Sequence, residues 1–376
     1  MRGFIWMFVA GLAVCNAAKK CVKSPTKVSG SNAPHKICSG DLIFHENFHT
    51  LDFQKWKHEN TLSGGGNWEF QWYTNNRSNS YVKNNRLYIK PTLTADVIGE
   101  DNLFKMNLDI NGGSPADYCT DDRNWGCSRT GTPTNILNPI RSAKLTTVDS
   151  FAFKYGRVEF KAKMPTGDWL WPAIWMVPRY NVYSTWPASG EIDLVEARGN
   201  ENLTQNGKNI GTEQAGSTLH WGPDPAHNGY MKTHFDKNSP GNGFNKDFRI
   251  YGFEWTPEYL KFSIDGEVLG IVKPEKSFWE LGEFEKSGLN NPWVSGTKLA
   301  PFDEQFYLII NLAVGGVSYF PDDSENPVPK PWSNKSPTAM TDFWKGKSGW
   351  LPTWNLDKNN GEDAALQVDY IKVLAL

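Results

Sequence analysis

The chain is 376 residues long, and its 39 Lys and Arg nearly balance its 41 Asp and Glu, giving a formal net charge of −2. That balance excludes a strongly basic nucleic-acid-binding protein and a chain dominated by an acidic tail. Aromatic residues make up 14% of the chain, with 17 Trp, and it also contains 34 Gly and 23 Pro. This composition argues against a coiled coil, a helical bundle or a disordered chain, and favours a turn-rich fold with a ring-lined binding surface.

The N-terminus has the pattern of a secretory signal. A basic start, Met1 to Gly3, precedes an apolar run from Phe4 to Val14 and then small residues up to Ala18. A membrane anchor is the weaker alternative, because this apolar run is too short to span a bilayer. We therefore expect a signal peptide over 1–17 and a secreted, extracellular protein with no membrane partner.

The cysteines that remain predict disulfide bonds. Removing Cys15 with the signal leaves Cys21, Cys38, Cys119 and Cys127. An even number in an oxidising compartment favours two bonds, and the simplest of the three connectivities joins Cys21 to Cys38 and Cys119 to Cys127. A zinc site is disfavoured because no C-x-x-C pair is present. Three Asn-x-Ser/Thr sequons predict exposed glycan sites of a glycoprotein: Asn76, Asn202 and Asn334.

The rest of the chain has the period of β-strands. Residues Tyr155 to Met164 alternate apolar and polar side chains, as a half-buried strand does. Residues 260–264 and 268–272 flank Asp265-Gly266, which is a strong β-hairpin signal. Five further apolar runs are typical of strands: Leu170–Val177, Ile192–Val195, Phe248–Trp255, Phe306–Val314 and Leu366–Leu376. Many short strands separated by Gly and Pro predict an all-β fold, either a two-sheet sandwich or a barrel.

The domain organisation predicted from these elements is simple. We expect one domain over 41–376, preceded by a short segment, 18–40, that is bracketed by cysteines. Residues Asp101–Pro133 are expected to form a long, Gly-rich loop held by a disulfide between Cys119 and Cys127.

Three acids lie close together in the chain, at Glu191, Asp193 and Glu196. In a strand, Glu191 and Asp193 face the same way, whereas Glu196 would face the other way unless a β-bulge near Leu194 or Val195 restores the parity. Two carboxyl groups about 5–5.5 Å apart suit a retaining glycosidase, with one as nucleophile and the other as acid/base. A neighbouring anion and a water-poor cleft both raise the pKa of such an acid. A solvated acidic strand or a calcium site is the alternative interpretation of the bare pattern.

Aromatic residues surround these acids in the sequence: Trp169, Trp171, Trp175, Trp186, His220 and Trp221. Sugar rings have apolar faces that stack on aromatic side chains, while their hydroxyls require a few polar partners. Acids placed among tryptophans therefore predict a carbohydrate-binding cleft. At least half of the tryptophans are nevertheless expected to fill the core.

A second chemical motif, H-E-x-x-H, occurs at His45 to His49. On a helix it would present two His to a zinc ion and a Glu as general base. The extended zinc-protease signature fails, because Asp52 and Lys55 stand where Gly and His should follow. Zinc proteolysis is therefore a minor alternative.

Nine motifs occur in one order along the chain: Trp72–Asn76, Ile140–Leu145, Gly156–Glu159, Trp171–Met176, Gly190–Glu196, Leu219–Gly222, Tyr251–Trp255, Asn311–Gly316 and Gln367–Tyr370. Together they resemble glycoside hydrolase family 16, in its laminarinase (endo-1,3-β-glucanase) branch of secreted animal enzymes. The resemblance implies a two-sheet β-jelly roll with an open, concave substrate cleft, and places the H-E-x-x-H segment in its first strand. It also implies a monomer that hydrolyses internal bonds of laminarin-like β-1,3-glucans with retention, with transglycosylation as a side activity.

The resemblance also assigns roles. Glu191 matches the nucleophile, Glu196 the acid/base and Asp193 the assisting acid. Six positions match residues that line the sugar subsites: Asn75, Arg141, Trp171, Trp175, Trp186 and His220. Trp221, next to His220, is also expected to bind the substrate. No cofactor is expected for catalysis, but the family often holds a structural calcium ion, for which Asp369 and the region of Glu46 are the candidates. The alternative function is a non-catalytic β-1,3-glucan recognition protein, although such relatives have lost the acids that this chain keeps.

Overall fold

Strands form most of the regular backbone, as the alternating sequence predicts. The computed structural model describes residues 21–114 and 117–376, so the predicted signal peptide lies outside the described residues. Within the described part, no helix is long and apolar enough to cross a bilayer.

One large sheet, here called sheet A, carries the three acids. Its strands are β1 (Lys27–Ser29), β3 (Lys57–His58), β11 (Lys144–Thr146), β12 (Ala152–Lys154), β14 (Leu170–Pro178), β15 (Glu191–Ala197), β18 (Gln214–His220), β19 (His234–Asn238) and β23 (Phe306–Val314). The main order is β1-β12-β23-β14-β15-β18-β19, with β11 pairing with both β23 and β3. Neighbouring strands are antiparallel, and β15 lies between β14 and β18.

The second large sheet, sheet B, packs behind sheet A. Its strands are β2 (Leu42–Glu46), β5 (Ser80–Val82), β6 (Leu87–Ile89), β13 (Gly156–Lys163), β20 (Arg249–Trp255), β21 (Leu260–Ile264), β22 (Glu267–Val272) and β24 (Leu366–Leu374). The order is β22-β21-β20-β13-β24-β6-β5, and β2 also pairs with β24. Residues Asp265 and Gly266 have φ values of 52° and 80° and close the predicted hairpin between β21 and β22.

Shorter elements complete the chain. A three-stranded sheet contains β4 (Gln71–Tyr73), β7 (Thr92–Leu93) and β10 (Ile140–Ser142), and two separate pairs are β8 (Asn107–Asp109) with β9 (Ser128–Thr130) and β16 (Thr204–Gln205) with β17 (Lys208–Asn209). The described α-helices are short: α1 (Ala95–Ile98), α2 (Phe278–Leu281), α3 (Ala339–Lys345) and α4 (Lys347–Trp350).

The core lies between the two sheets and is rich in rings. Trp255 of β20 is fully buried, and its indole contacts Phe153 and Phe306 of sheet A edge-to-face, at centroid distances of 5.6 and 5.5 Å. On β13 the residues predicted to be apolar, such as Val158 and Phe160, are buried, while their polar neighbours are not. The two-sheet sandwich predicted from the sequence is therefore confirmed.

Both predicted disulfides are present, Cys21–Cys38 and Cys119–Cys127. One local expectation needs correction, and another gains detail. The described residues of the segment 18–40 are not separate from the sheets, because β1 pairs with β12 at one end of sheet A. The expected long loop within 101–133 is present as the connection between β8 and β9, closed by the Cys119–Cys127 disulfide, and the short β8–β9 pair lies at its base.

The sequons differ in exposure. Asn76 and Asn202 are exposed, as a glycan site requires, whereas Asn334 is half-buried. The Asn334 side-chain amide donates to the Phe320 carbonyl at 2.9 Å. Glycan attachment remains a prediction, better supported at the first two sites than at the third.

Candidate active site

The three acids lie on one face of β15 because that strand contains a bulge. Against β18, Glu191, Asp193 and Glu196 are opposite residues 220, 218 and 216, so two residues of β15 face one residue of its neighbour. The register with β14 also shifts by one between Asp193 and Val195. The bulge predicted near Leu194 or Val195 is confirmed, and it restores the common orientation that a regular strand would lose.

The entry into β15 depends on Gly190. Its φ is 85°, which glycine adopts readily and other residues do not. A Cβ atom at this position would lie 3.0 Å from the Phe302 ring. Gly190 therefore lets the chain turn against the core immediately before the first acid.

Indole groups hold the two outer acids. The Trp186 Nε1 donates to Glu191 Oε2 at 2.9 Å, and the Trp171 Nε1 donates to Glu196 Oε1 at 2.9 Å. Trp186 is 43% exposed while Trp171 is 9% exposed, so one indole lies at the open surface and the other is nearly buried. Trp171 also stacks on Tyr319 at a centroid distance of 4.1 Å. Both carboxylates thus have fixed directions before any ligand arrives.

The central acid contacts a histidine. His220 Nε2 lies 3.2 Å from Asp193 Oδ2 and 3.9 Å from Glu191 Oε1. The Nδ1 atom of the same ring is 2.8 Å from the Asn228 side-chain amide, and the ring stacks on Tyr230 at 5.3 Å. Asn228 and Tyr230 therefore set the orientation of the imidazole, which bridges two of the three acids.

Burial dominates the electrostatics of the cluster. It raises the pKa of Asp193 well above its ordinary value, and the charges of Glu191 and Glu196 add to that shift. Burial likewise raises the pKa of Glu196, and the charge of Glu191 contributes in the same direction. Burial lowers the pKa of His220, but its hydrogen bond and attraction to Asp193 outweigh this effect and raise it to about 9. Burial and the neighbouring negative charges therefore both favour proton uptake by this cluster of acids.

A polar chain extends from the acids along the sheet. Trp175, opposite Asp193 on β14, donates from Nε1 to Asn311 Oδ1 at 2.6 Å, and Asn311 Nδ2 donates to the Tyr73 hydroxyl at 3.0 Å. Lys144 lies 4.9 Å from the Trp175 ring centroid. Asn311 and Tyr73 thus fix the indole of a predicted subsite residue.

The remaining predicted subsite residues differ in their placement. Arg141 is 8% exposed and lies over the Trp72 ring at 5.7 Å, and burial lowers the pKa of its guanidinium. Asn75 is half-buried and accepts hydrogen bonds from Arg77 through its backbone and side-chain oxygens. Arg141 belongs to β10 and Asn75 follows β4, so both lie far along the chain from the acids, and their subsite role stays a prediction.

The prediction that Trp221 binds the substrate is wrong. Its side chain is fully buried, its Nε1 donates to Thr233 Oγ1 at 2.9 Å, and it packs against Phe278, Phe284 and Trp293. Trp221 therefore supports the core behind His220 and does not face a ligand.

Sequence reasoning missed four residues that shape the site: Asn228, Tyr230, Tyr319 and Arg198. The Arg198 guanidinium lies over the Tyr319 ring at 4.1 Å, and Tyr319 in turn stacks on Trp171. Asn228 and Tyr230 belong to short turns outside the recognised motifs, where no periodic signal was available. Their role in orienting His220 is visible only from their contacts with its ring in the folded protein.

The two calcium candidates, Asp369 and Glu46, each contact other side chains of the protein. The Glu46 carboxylate is buried and accepts from the Phe48 N–H at 2.9 Å and from Trp56 Nε1 at 3.2 Å. The Asp369 carboxylate lies 2.9 Å from Lys161 and 3.8 Å from Arg86. Both carboxylates thus have protein partners in this structure, and calcium binding at Asp369 or near Glu46 stays a prediction.

Zinc proteolysis is excluded by geometry. The H-E-x-x-H segment begins in strand β2 rather than in a helix, with His45 exposed and Glu46 buried on opposite sides. Among the described residues, the group of three that could hold a metal ion is Glu191, Asp193 and His220, which belongs to the acid cluster itself.

Comparison with known proteins agrees with this geometry. The family model described as "Glycosyl hydrolases family 16" matches residues 118–288. The chain is 45% identical over 379 residues to a β-1,3-glucan-binding protein of Penaeus monodon, covering 99% of this chain and 98% of that one. It is 33% identical over 313 residues to glucan endo-1,3-beta-glucosidase A1 of Niallia circulans, covering 80% of this chain and 38% of that one.

Solved structures support the same fold. The laminarinase from Rhodothermus marinus matches with a TM-score of 0.54 and 22% identity, covering 90% of this chain and 98% of that one. At this identity the likeness concerns the fold, a jelly roll of two antiparallel sheets. From the sandwich, the acid cluster on β15 and the near full-length similarity to the Penaeus protein, we conclude that the chain belongs to glycosyl hydrolase family 16.

Proposed function

We propose that this protein is a secreted endo-1,3-β-glucanase that cleaves internal bonds of laminarin-like glucans with retention of configuration. The observation that carries the proposal is the arrangement of Glu191, Asp193 and Glu196 on one face, with Trp186 and Trp171 donating to the two outer acids. The two disulfides are consistent with an oxidising compartment.

In the first step, a Glu191 oxygen bonds to the anomeric carbon while the bond to the leaving sugar oxygen breaks. Glu196 gives its proton to that oxygen, and its raised pKa keeps the proton available near neutral pH. In the second step, Glu196 takes a proton from water, and the water oxygen displaces Glu191 from the anomeric carbon. An acceptor sugar in place of water gives transglycosylation. Asp193 and His220 moderate the charge around Glu191 throughout.

A non-catalytic β-1,3-glucan-binding protein is the second candidate. The relative from Penaeus monodon, 45% identical over nearly the whole chain, carries that name. Both functions require the same polysaccharide partner, so only a reaction assay separates them.

The anomeric form of the first product tests the proposal directly. Proton NMR during laminarin hydrolysis is expected to show the β-anomer first, with the α-anomer growing later by mutarotation. The same assay with lichenan, agarose and casein defines the specificity. Initial release of the α-anomer would exclude double displacement, and no new reducing ends from laminarin would favour the binding protein.

The hydrogen bond from Trp171 predicts a shift of the pH profile. The indole N–H stabilises the Glu196 anion and so lowers the pKa of this acid, which burial otherwise raises. Replacing Trp171 by Phe is expected to move the alkaline limb of kcat/KM upward by about one pH unit, because a hydrogen bond to a charged group is lost.

Trp175→Phe is the matched control for that experiment. It removes an indole whose Nε1 donates to Asn311 instead of a carboxylate. We expect this variant to change KM without moving the alkaline limb. A downward shift in Trp171→Phe, or equal shifts in both variants, would contradict the role of Glu196 as the acid.

A further inference from the structure

Two exposed tryptophans lie outside the acid cluster. Among the tryptophans of the described chain, the most exposed are Trp68 at 49%, Trp125 at 68% and Trp186 at 43%. Trp186 binds Glu191, but the other two have no part in the proposed reaction. Trp68 and Trp125 both line one groove of about 810 Å³, here called the Trp68–Trp125 groove. This volume falls in the range of about 300–1,000 Å³ that is usual for ligand sites.

Both tryptophans have a left-handed backbone, with φ values of 51° for Trp68 and 59° for Trp125. Bulky residues rarely adopt this conformation, and strained positions of this kind concentrate at functional sites. Neither ring is buried, so core packing does not explain why tryptophan is present at either position. Two exposed rings with this uncommon backbone therefore line the same groove.

The loops that carry the two rings are fastened to each other. The Leu62 N–H donates to the Gly126 carbonyl at 2.8 Å, and Thr61 Oγ1 donates to the Asp121 carbonyl at 2.6 Å. The Cys119–Cys127 disulfide closes the second loop. A groove whose walls are already ordered loses little conformational entropy when it binds a ligand.

The lining of the groove suits a neutral ligand with apolar faces and hydroxyl groups. Its charged members are one acid, Glu69, and one base, Arg129. Its other polar side chains are those of Ser128, Thr130, Asn135, Asn334 and Ser336. Rings with scattered amide and hydroxyl groups are what sugar recognition requires, while a charged ligand would find no excess of either sign.

The groove is connected to the acid cluster through Glu69. This buried carboxylate lies 3.4 Å from the Tyr73 hydroxyl, which accepts from Asn311, the residue that also holds the Trp175 indole. Gln71 Nε2 donates to the same Glu69 oxygen at 2.7 Å. One chain of hydrogen bonds therefore joins a wall of the groove to the Trp175 indole beside the acids.

We propose that the Trp68–Trp125 groove is a second binding site for β-1,3-glucan, which holds one stretch of the polysaccharide while another occupies the cleft at the acids. This inference rests on the proposed polysaccharide partner but not on catalysis. It assigns a role in binding to the loop closed by the Cys119–Cys127 disulfide, because the proposed reaction does not use that loop.

The test measures binding by a variant in which both rings are removed, Trp68→Gly with Trp125→Gly, in a Glu191→Gln background that prevents turnover. Glycine adopts the left-handed backbone without strain, so the loops are expected to keep their shape. Affinity for laminarin is expected to fall about tenfold, a change typical of losing aromatic anchors, while affinity for laminaritriose falls less than about twofold. The control is Tyr259→Ala in the same background, which removes a ring beside Lys261 on sheet B.

Each outcome decides the question. Selective loss of laminarin affinity, with the control unchanged, supports the second site. Unchanged laminarin affinity overturns it. Equal losses for laminarin and laminaritriose also overturn it, because the groove would then be part of the cleft. Since binding alone is measured, the result remains valid if the wild-type protein proves unable to hydrolyse glucan.

Discussion

Replacing Glu191 by Gln is expected to lower the rate of laminarin hydrolysis by at least about 10⁴-fold, a loss typical of removing a catalytic nucleophile. An amide oxygen cannot form the glycosyl ester, so the first step of the reaction fails. The amide oxygen still accepts a hydrogen bond from the Trp186 indole, whose Nε1 lies 2.9 Å from Glu191 Oε2 in the native protein. Affinity for the polysaccharide is therefore expected to change little.

The measurement pairs reducing-end release with equilibrium binding to laminarin for the same preparation. Glu201→Gln is the matched control, because this exposed acid lies shortly after β15 and pairs with Lys246 at 3.0 Å. The control should keep full activity. Near wild-type turnover in Glu191→Gln would remove Glu191 from the nucleophile role, whereas loss of both turnover and binding would point to a disturbed cleft.

The fold was predictable where strands are long enough to show a period. The alternation along β13 and the hairpin at Asp265-Gly266 both appear in the structure as predicted. Strands of two or three residues, such as β1 and β3, carry no period and are formed by pairing with β12 and β11. Their positions depend on contacts distant in sequence, which local patterns do not contain.

The candidate site was predictable where chemistry and spacing coincide. The three acids and the bulge followed from strand parity, since one odd step in an otherwise apolar strand requires an extra residue. The same strand parity argues against a substrate-binding role for Trp221. Its neighbour His220 faces the acids, and adjacent residues of a strand point to opposite sides. The contact of Asp369 with Lys161 could not be foreseen, since these residues meet only when β13 and β24 pair.

Replacing Glu196 by Gln is expected to lower the hydrolytic activity while raising the stability of the folded protein. Loss of the general acid should lower laminarin hydrolysis by about 10²–10⁴-fold. The loss should be much smaller for an aryl β-glucoside with an acidic phenol, whose departure needs no proton in the first step. Glu191→Gln should show no such recovery, so the two substrates distinguish nucleophile from acid.

The same Glu196→Gln variant is expected to be more stable than the wild type near neutral pH. Burial raises the pKa of Glu196 in the folded state, so the unfolded chain loses this proton at a lower pH than the folded protein does. Between those two pKa values the wild type loses up to about 1.4 kcal/mol of unfolding free energy per pH unit, and Gln removes this loss.

Urea unfolding between pH 5 and pH 8 measures this difference directly. The free-energy gap between Glu196→Gln and the wild type should widen as pH rises, whereas the gap for the exposed control Glu201→Gln should stay nearly flat. The Gln side chain keeps an acceptor for the Trp171 indole, so loss of that hydrogen bond does not obscure the comparison. A gap that narrows with rising pH would mean that the folded protein favours the Glu196 anion, and Glu196 would then be unsuited to donate a proton.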